Sequence, residues 1–381
     1  MKRIVILYGG RSGEHEVSLM SAASIVRHID LKTFEPILVG IDKDGVWHLQ
    51  EKDLPVRQRM AEGPLPLLPG PRVVVAPAAG LFAVEGEAWR GEASGKAGSG
   101  GSTKIRALPC DLVFPVLHGT FGEDGTVQGL LEVAGLPYVG ASVLGSALGM
   151  DKEKAKELWL RAGLPVVPFL AVRKGELGTQ ESEELLRRKV GARFGWPAFV
   201  KPACAGSSVG ATKVDSAEEL VPAIREALAW DTKVLVEPFV NAREIECSVL
   251  GNASPAAYGP GEVAPTHEFY DYEAKYVDPD GARLEVPAAI SEEQAERVRS
   301  VALAAYIACE ISGMARVDFF LDKRTGEVLL NELNTIPGFT HISMYPRMCE
   351  AGGISYTALI TKLAELAIEK HALRASLRFS R

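Results

Sequence analysis

Apolar residues along this chain fall into short runs that alternate with helix-spaced stretches. Ile4–Tyr8 is a continuous run of β-forming residues, and Gly9–Gly13 is a turn-forming loop. From Glu16 to His28 the apolar positions recur at helical spacing, with Val17, Met20, Ala23 or Ser24 and Ile25 facing inward. A second strand is expected over Glu35–Ile41, followed by an Asp42–Gly45 turn, the opening of an α/β sheet. Cys110–Leu117 is apolar throughout, which predicts a central strand. His118–Gly125 is a loop at its carboxyl end, and Thr126–Ala134 a short helix ended by Gly135. Ligands of open α/β sheets sit beyond the carboxyl ends of strands, where both glycine-rich loops lie.

The same reading continues with a helix over Lys152–Ala162, begun by Asp151 and stopped by Gly163 and Pro165. A second unit follows: helix Glu181–Phe194, strand Ala198–Lys201, loop Pro202–Gly210, strand Ala211–Val214, and a helix opened by a capping box at Ser216 and Glu219. Val234–Val240 is a strand leading into a third unit. There a capping box at Ser291 and Gln294 opens a helix ending near Gly313. A hairpin over Arg316–Asn334 and a helix over Ile354–Leu373 complete the chain, and no internal repeat is visible. Residues 81–104 break the pattern: this Gly/Ser/Ala-rich stretch predicts a solvent-exposed, mobile insertion between hairpin strands.

The hairpin carries the most chemistry. A three-residue turn, Arg324–Gly326, sets Asp318 opposite Glu332 and Arg316 opposite Asn334. Side chains alternate across a strand, so these four share one face, while Val317, Phe319, Leu321, Leu329 and Leu333 form a core on the other. Facing carboxylates repel. Either a divalent cation bridges them, as hard oxygen donors suit Mg²⁺, or Arg316 and solvent neutralise a polar face; the pattern alone leaves both open. Similarly, Ala205–Gly210 is either an anion nest with Lys201 beside it or a plain hairpin loop. Glu16 either complements the helix dipole or holds an ammonium group, and His118 is either a loop histidine or a ligand contact. Phe269–Tyr276 is either an aromatic strand or a lid with polar tips.

Several motifs fail. Gly259–Ala264 matches a dinucleotide fingerprint in letters only, because Pro260 intervenes and the strand–helix context is missing. His15-Glu16 lacks a second histidine four residues on, and neither a P-loop nor a nucleophile elbow is present.

Composition narrows the class. The 381 residues are 47% hydrophobic and 24% charged, which excludes global disorder and predicts two or three domains. Net charge is −7, so no overall basic field favours nucleic acid or an anionic membrane. Five scattered cysteines without C-x-x-C argue against a disulfide framework and for a reducing compartment. The opening Met1–Gly10 is too short in its apolar run for a signal peptide and reads as a buried strand, and no run approaches a membrane span. A cytoplasmic location is expected.

Taken in order, Tyr8–Ser18, Leu117–Gly125, Met150–Lys152, Val200–Pro202 with Gly206–Gly210, the tyrosine-rich loop, Arg316–Asp318 and Asn331–Gly338 closely resemble the D-alanine–D-alanine ligases of the ATP-grasp superfamily. The match spans nearly the whole chain except the 81–104 insertion. The resemblance implies an α/β ATP-grasp fold. Its parts would be an N-terminal Rossmann-like parallel-sheet domain (1–140), a small central α+β domain (141–237) and a C-terminal domain with a mainly antiparallel sheet (238–381).

It further implies ATP and two Mg²⁺ ions, with Mn²⁺ as a substitute, the metals held by Asp318, Glu332 and Asn334. Lys152, Lys201, Gly206, Ser208 and Lys275 would contact phosphates. The interdomain segment Val234–Val240, through Glu237 and Val240, would meet adenine, and Glu244 the ribose. Pro238 departs from a lysine found in some relatives. By the same resemblance, Glu16 holds the first ammonium in a hydrogen-bonded group with Ser207 and Tyr276, and His118 adds a substrate contact. Arg316 and the Gly338 N–H stabilise an oxyanion, and Ser343 with the Met344 N–H binds the second carboxylate. The implied activity is ATP-dependent joining of two D-alanines through an acyl phosphate, for peptidoglycan precursors, by a homodimer that binds neither nucleic acid nor membrane. Tyr276, where D-lactate-using relatives carry phenylalanine, points to D-alanine as second substrate. The alternatives are an ester-forming or other amino-acid ligase of the same superfamily, and a non-catalytic binding protein that kept the fold.

Overall fold

A computed structural model describes residues 1–86, 103–265 and 282–378. Residues 87–102 of the expected 81–104 insertion and the whole tyrosine-rich segment, with Lys275 and Tyr276, therefore lie outside the described residues. The described start of that insertion is not an exposed loop but part of a strand, Gly80–Glu85, with Leu81, Ala83 and Val84 buried, because it pairs with the strand that Lys104 opens. Internal packing divides the chain into two compact units: Met1–Gly140 with Gly338–His341 and Ser355–Arg381, and Ala141–Pro337 with Ile342–Ile354.

In the first unit, the described strands form a seven-stranded sheet. In spatial order these are β6 (Lys104–Leu108), β5 (Gly80–Glu85), β4 (Arg72–Ala76), β3 (Trp47–Leu49), β2 (Phe34–Ile41), β1 (Lys2–Gly9) and β7 (Leu112–Val116). Only β2, β1 and β7 run parallel; the other pairings are antiparallel. The apolar run of β7 does not make it central. It is the edge strand, yet all five residues are buried. The segment after helix α3 (Thr126–Ala134) covers that edge, with Val113 N–H donating to Pro137 O and Val139 N–H to Val113 O. Burial on both faces, not position in the sheet, is what the apolar run reported.

Helix α1 (His15–His28) packs Val17, Ala23 and Ile25 inward, whereas Met20, expected to face the core, is exposed. Helix α2 spans Leu54–Arg59, and the last helix, α10 (Tyr356–Ala375), starts at Ser355, whose side chain accepts from Ala358 N–H. Residues 338–341 belong here because Phe339 is fully buried, edge-on to Phe114 and Tyr356.

The second unit has two antiparallel sheets. One is β10 (Thr212–Val214), β9 (Ala198–Pro202), β11 (Lys233–Pro238) and β8 (Leu170–Arg173); the other is β14 (Ala282–Glu285), β13 (Ala256–Pro265), β12 (Ala242–Gly251), β15 (Gly313–Asp322) and β16 (Val328–Asn334). Helices α4 (Val143–Met150), α5 (Lys152–Arg161), α6 (Gln180–Phe194), α7 (Ala217–Ala227), α8 (Glu292–Ala308) and α9 (Met344–Ala351) complete it. α4 and α9 are additions to the sequence reading. α8 ends five residues before Gly313, which instead opens β15 at φ +77°. The box at Ser291 forms, but at Ser216 it does not: the Glu219 carboxylate accepts from Asp215 N–H and no bond reaches the Ser216 hydroxyl. Trp159 of α5 is wholly buried and donates from Nε1 to Ala305 O of α8, tying the two helices over the larger sheet.

The β15–β16 register is as expected, Arg316 opposite Asn334 and Asp318 opposite Glu332, but for a different reason. The loop holds four residues, not three, since Asp322 N–H donates to Glu327 O. A β-bulge between Asp318 and Phe319 on this pair then takes up Asn331 and restores the pairing. The shift has a cost in side-chain direction: Val328 and Leu330 enter the core, and Leu329, expected there, is half-exposed on the other face.

Candidate active site

Three adjacent strands of the larger sheet bring carboxylates into one row. Glu246 of β12 pairs with Asp318 of β15, which pairs with Glu332 of β16, so all three project from one face. Arg316, two residues from Asp318 on the same face, donates from Nε to Asp318 Oδ1 and from Nη2 to Oδ2, both at 2.7 Å. Its Nε is also 3.3 Å from Glu246 Oε2. Burial alone would make the Arg316 cation less favourable, but the facing carboxylates of Asp318 and Glu246 more than offset this and hold its pKa well above the ordinary value. Asn334 completes the set by donating from Nδ2 to Asp318 Oδ2 at 2.9 Å. Sequence reasoning missed Glu246; the visible signal was the alternation Glu244-Ile245-Glu246 entering the strand.

Lysines meet this face from the smaller sheet and from α5. Lys152, at the start of α5, lies 3.2 Å from Glu332 Oε2 and donates to Ala205 O at 2.7 Å. Burial disfavours its charge, but the surrounding anionic groups, Glu332 foremost and Glu237 after it, together leave its pKa raised. Lys201 of β9 donates to Asn331 Oδ1 at 2.8 Å, so the bulge that shifts the register also turns this amide toward the lysine. Lys201 further pairs with Glu237 Oε2 at 2.9 Å. The other Glu237 oxygen, Oε1, lies 2.7 Å from Lys156, a residue absent from the sequence reading although it sits one helical turn after Lys152. Burial would raise the Glu237 carboxyl, but the two ammoniums hold it below the ordinary range.

Residues 206–209 form a tight turn in which Val209 N–H donates to Gly206 O and Ala211 N–H to Ser208 O. Ser207 and Ser208 both adopt left-handed backbone, φ +50° and +59°, an unfavourable conformation for non-glycine residues that is concentrated at binding loops. Gly210 has φ +69° and is pressed by Trp230, whose Cδ1 would lie 2.7 Å from a Cβ there. Val240 follows β11 and Glu244 lies on β12 opposite Phe320. Ser343 precedes α9, and the Met344 N–H is at that helix's amino end, while the Met344 side chain is buried against Val263.

In the first unit, Glu16 is exposed in the first turn of α1 and pairs with Lys43 Nζ at 2.5 Å, which lowers its pKa. His118 is buried, its Nε2 3.1 Å from Ser21 Oγ. That same hydroxyl accepts from Phe339 N–H, next to Gly338, so Ser21, which the sequence reading passed over, joins two expected site segments.

Among the described residues no group of three or more His, Cys, Asp or Glu side chains is arranged to hold a metal. Asp318, Glu332 and Asn334 offer two carboxylates and one amide, hard oxygen donors too few for a protein-only cage. That donor set fits Mg²⁺, which keeps several positions for water and phosphate. A cavity of about 480 Å³ elsewhere in this unit is lined by Asp151, Arg173, Cys204 and Lys233 and includes none of these groups. Its Lys233 is already held by Asp151 and Glu153.

Two family models match, described as "D-ala D-ala ligase N-terminus" over residues 3–141 and "D-ala D-ala ligase C-terminus" over residues 158–365. The chain belongs to the D-alanine–D-alanine ligase family. It is 47% identical over 370 residues to a D-alanine–D-alanine ligase of Treponema denticola, covering 96% of each chain. It is also 47% identical over 382 residues to D-alanine–D-alanine ligase A of Bradyrhizobium diazoefficiens, covering 98% of this chain and 97% of the relative. Among solved structures, the D-alanine–D-alanine ligase of Coxiella burnetii superposes with a TM-score of 0.79 at 34% identity, covering 98% of this chain and 96% of that one. VanG D-Ala:D-Ser ligase of Enterococcus faecalis gives 0.76 at 36%, covering 96% and 99%. Within this ligase family the mixed α/β fold is that of ATP-grasp proteins, and the chain is a ligase.

Proposed function

We propose that this chain joins two D-alanine molecules at the expense of ATP, giving D-alanyl-D-alanine, ADP and phosphate for cell-wall precursors. The observation that carries the reading is the acidic and amide face of β15 and β16 with Lys152 and Lys201 directed onto it. An anionic triphosphate and an amino-acid carboxylate repel, and such a face with its lysines is what lowers that barrier.

In the first step the carboxylate of one D-alanine attacks the γ-phosphorus, and ADP departs with the electrons of the bridging bond. The amine of the second D-alanine attacks the resulting acyl carbonyl, loses its proton, and phosphate leaves. Mg²⁺ held by Asp318, Glu332 and Asn334 would supply neutralising charge to the phosphates. Lys152 and Lys201 bind phosphate oxygens, with Gly206, Ser208 and Lys275 adding contacts. The segment from Glu237 to Val240 receives adenine, and Glu244 the ribose. Glu16 with Ser207 and Tyr276 orients the first amino acid, and His118 adds a contact. Arg316 and the Gly338 N–H stabilise the oxyanion, and Ser343 with the Met344 N–H, at a helix amino end, takes the second carboxylate. A cytoplasmic homodimer is proposed on family likeness.

Incubation with ATP, Mg²⁺ and D-alanine is expected to release phosphate in step with dipeptide. D-Alanine-independent hydrolysis alone would overturn the proposal. The likeness to a D-Ala:D-Ser ligase makes D-serine the necessary comparison, with D-alanine expected to be preferred. Tyr276→Phe is expected to raise ester formation relative to dipeptide when D-lactate and D-alanine compete, because a hydroxyl is lost from the Glu16–Ser207–Tyr276 group. An unchanged product ratio would remove Tyr276 from substrate selection.

A further inference from the structure

Lys156 is wholly buried, a costly position for an ammonium unless it is fully paired. Its Nζ lies 2.7 Å from Glu237 Oε1 and donates to Val167 O at 3.2 Å, with the Phe169 ring 5.9 Å away. Glu237, 2% exposed, divides its two oxygens between Lys156 and Lys201. The cluster therefore contains two ammoniums and one carboxylate, a net charge of +1. Lys201 is its outward member, held by Asn331 beside the carboxylate face. Without Lys156, Glu237 would neutralise Lys201 and leave a cluster with no net charge.

We propose that Lys156 is a positioning residue for nucleotide binding: by taking up the charge of Glu237 it leaves the Lys201 ammonium a net positive charge to present to a phosphate. The inference rests on the nucleotide-binding reading of this site and assigns the charge balance within it. Burial in a low-dielectric interior amplifies the effect, because charges there are screened from one another far less than in water. The charged groups that act on Lys156 are Glu237 on β11 and Lys201 on β9, with Glu332 on β16 a smaller influence; Lys152 lies one turn earlier on its own helix.

Nucleotide binding by titration calorimetry separates this from a merely structural role. Lys156→Met is expected to weaken ATP binding by about tenfold to a hundredfold, the scale of one lost charge-assisted contact, with the KM for D-alanine unchanged. Lys156→Arg is expected to retain most of the affinity. Adenosine binding is expected to weaken far less than ATP binding in Lys156→Met, since the lost charge acts on phosphate and not on the adenine segment; a merely structural role would weaken both alike. The unmodified protein supplies a measurement that needs no variant. Burial pushes the Lys156 pKa down to about 8 against the pull of Glu237. The ammonium is thus present below that pH and lost above it, so ATP affinity should fall as pH rises through about 8. ATP affinity in Lys156→Met equal to the parent, equal weakening of ATP and adenosine binding, or a flat ATP affinity from pH 7 to 9 would each overturn the proposal. Failure of the unmodified protein to bind ATP at all would instead overturn the nucleotide reading itself.

Discussion

Glu332→Gln is expected to lower kcat by about a thousandfold or more while leaving ATP affinity within a few-fold, the size of effect expected when phosphate charge loses a hard anionic ligand. Gln keeps the shape of the side chain and its place opposite Asp318, so packing in the β15–β16 pair changes little. Two things do change. The face loses one of its two proposed carboxylate ligands, and the Lys152 ammonium, buried and 3.2 Å from Glu332, loses its counter-charge. Leaving that cation without its partner costs about 1–3 kcal/mol of stability, which a denaturant titration resolves from the kinetic loss. Glu237–Val240, the proposed adenine segment, is untouched. Turnover within tenfold of the parent would show that Glu332 has no part in phosphate chemistry. A parent with no turnover to lose would favour a binding protein over an enzyme.

The second large effect is expected at Arg316. Replacement by Met should lower kcat by about 10²–10³, the loss seen when one preorganised oxyanion donor is removed. The guanidinium grips both Asp318 oxygens and touches Glu246, so its charge and its fork geometry act together. Lys is therefore not expected to rescue: a point charge on a flexible stem cannot hold Asp318 through two parallel bonds. Steady-state kinetics on Met and Lys variants test this. If Arg316→Lys recovered nearly full kcat, the geometric part of the argument would fall and only charge would remain.

The hairpin shows how far local pattern reaches. Alternation along Arg316–Asp322 and Glu327–Asn334 was enough to pair Asp318 with Glu332, because strand period is a backbone property. The bulge at Asn331 was not legible, since a loop of four residues plus one extra strand residue gives the same pairing at Asp318 as a loop of three. Only the fate of Leu329, turned away from the core, distinguishes the two. The apolar run of β7 misled similarly: hydrophobicity records burial, and an edge strand covered by residues 137–139 is as buried as a central one.

Motif order along the chain identified the family, the acidic face and the lysines Lys152 and Lys201, because these groups are spaced by strand and helix periods or carried by turns that the chain itself specifies. Tertiary structure alone decided which charges neutralise which. Glu237 lies 81 residues from Lys156 and 36 from Lys201, and Glu246 lies 72 from Asp318. Such pairs are made when sheets and helices close over one another, where removal from water turns a neighbouring charge from a weak influence into the dominant one.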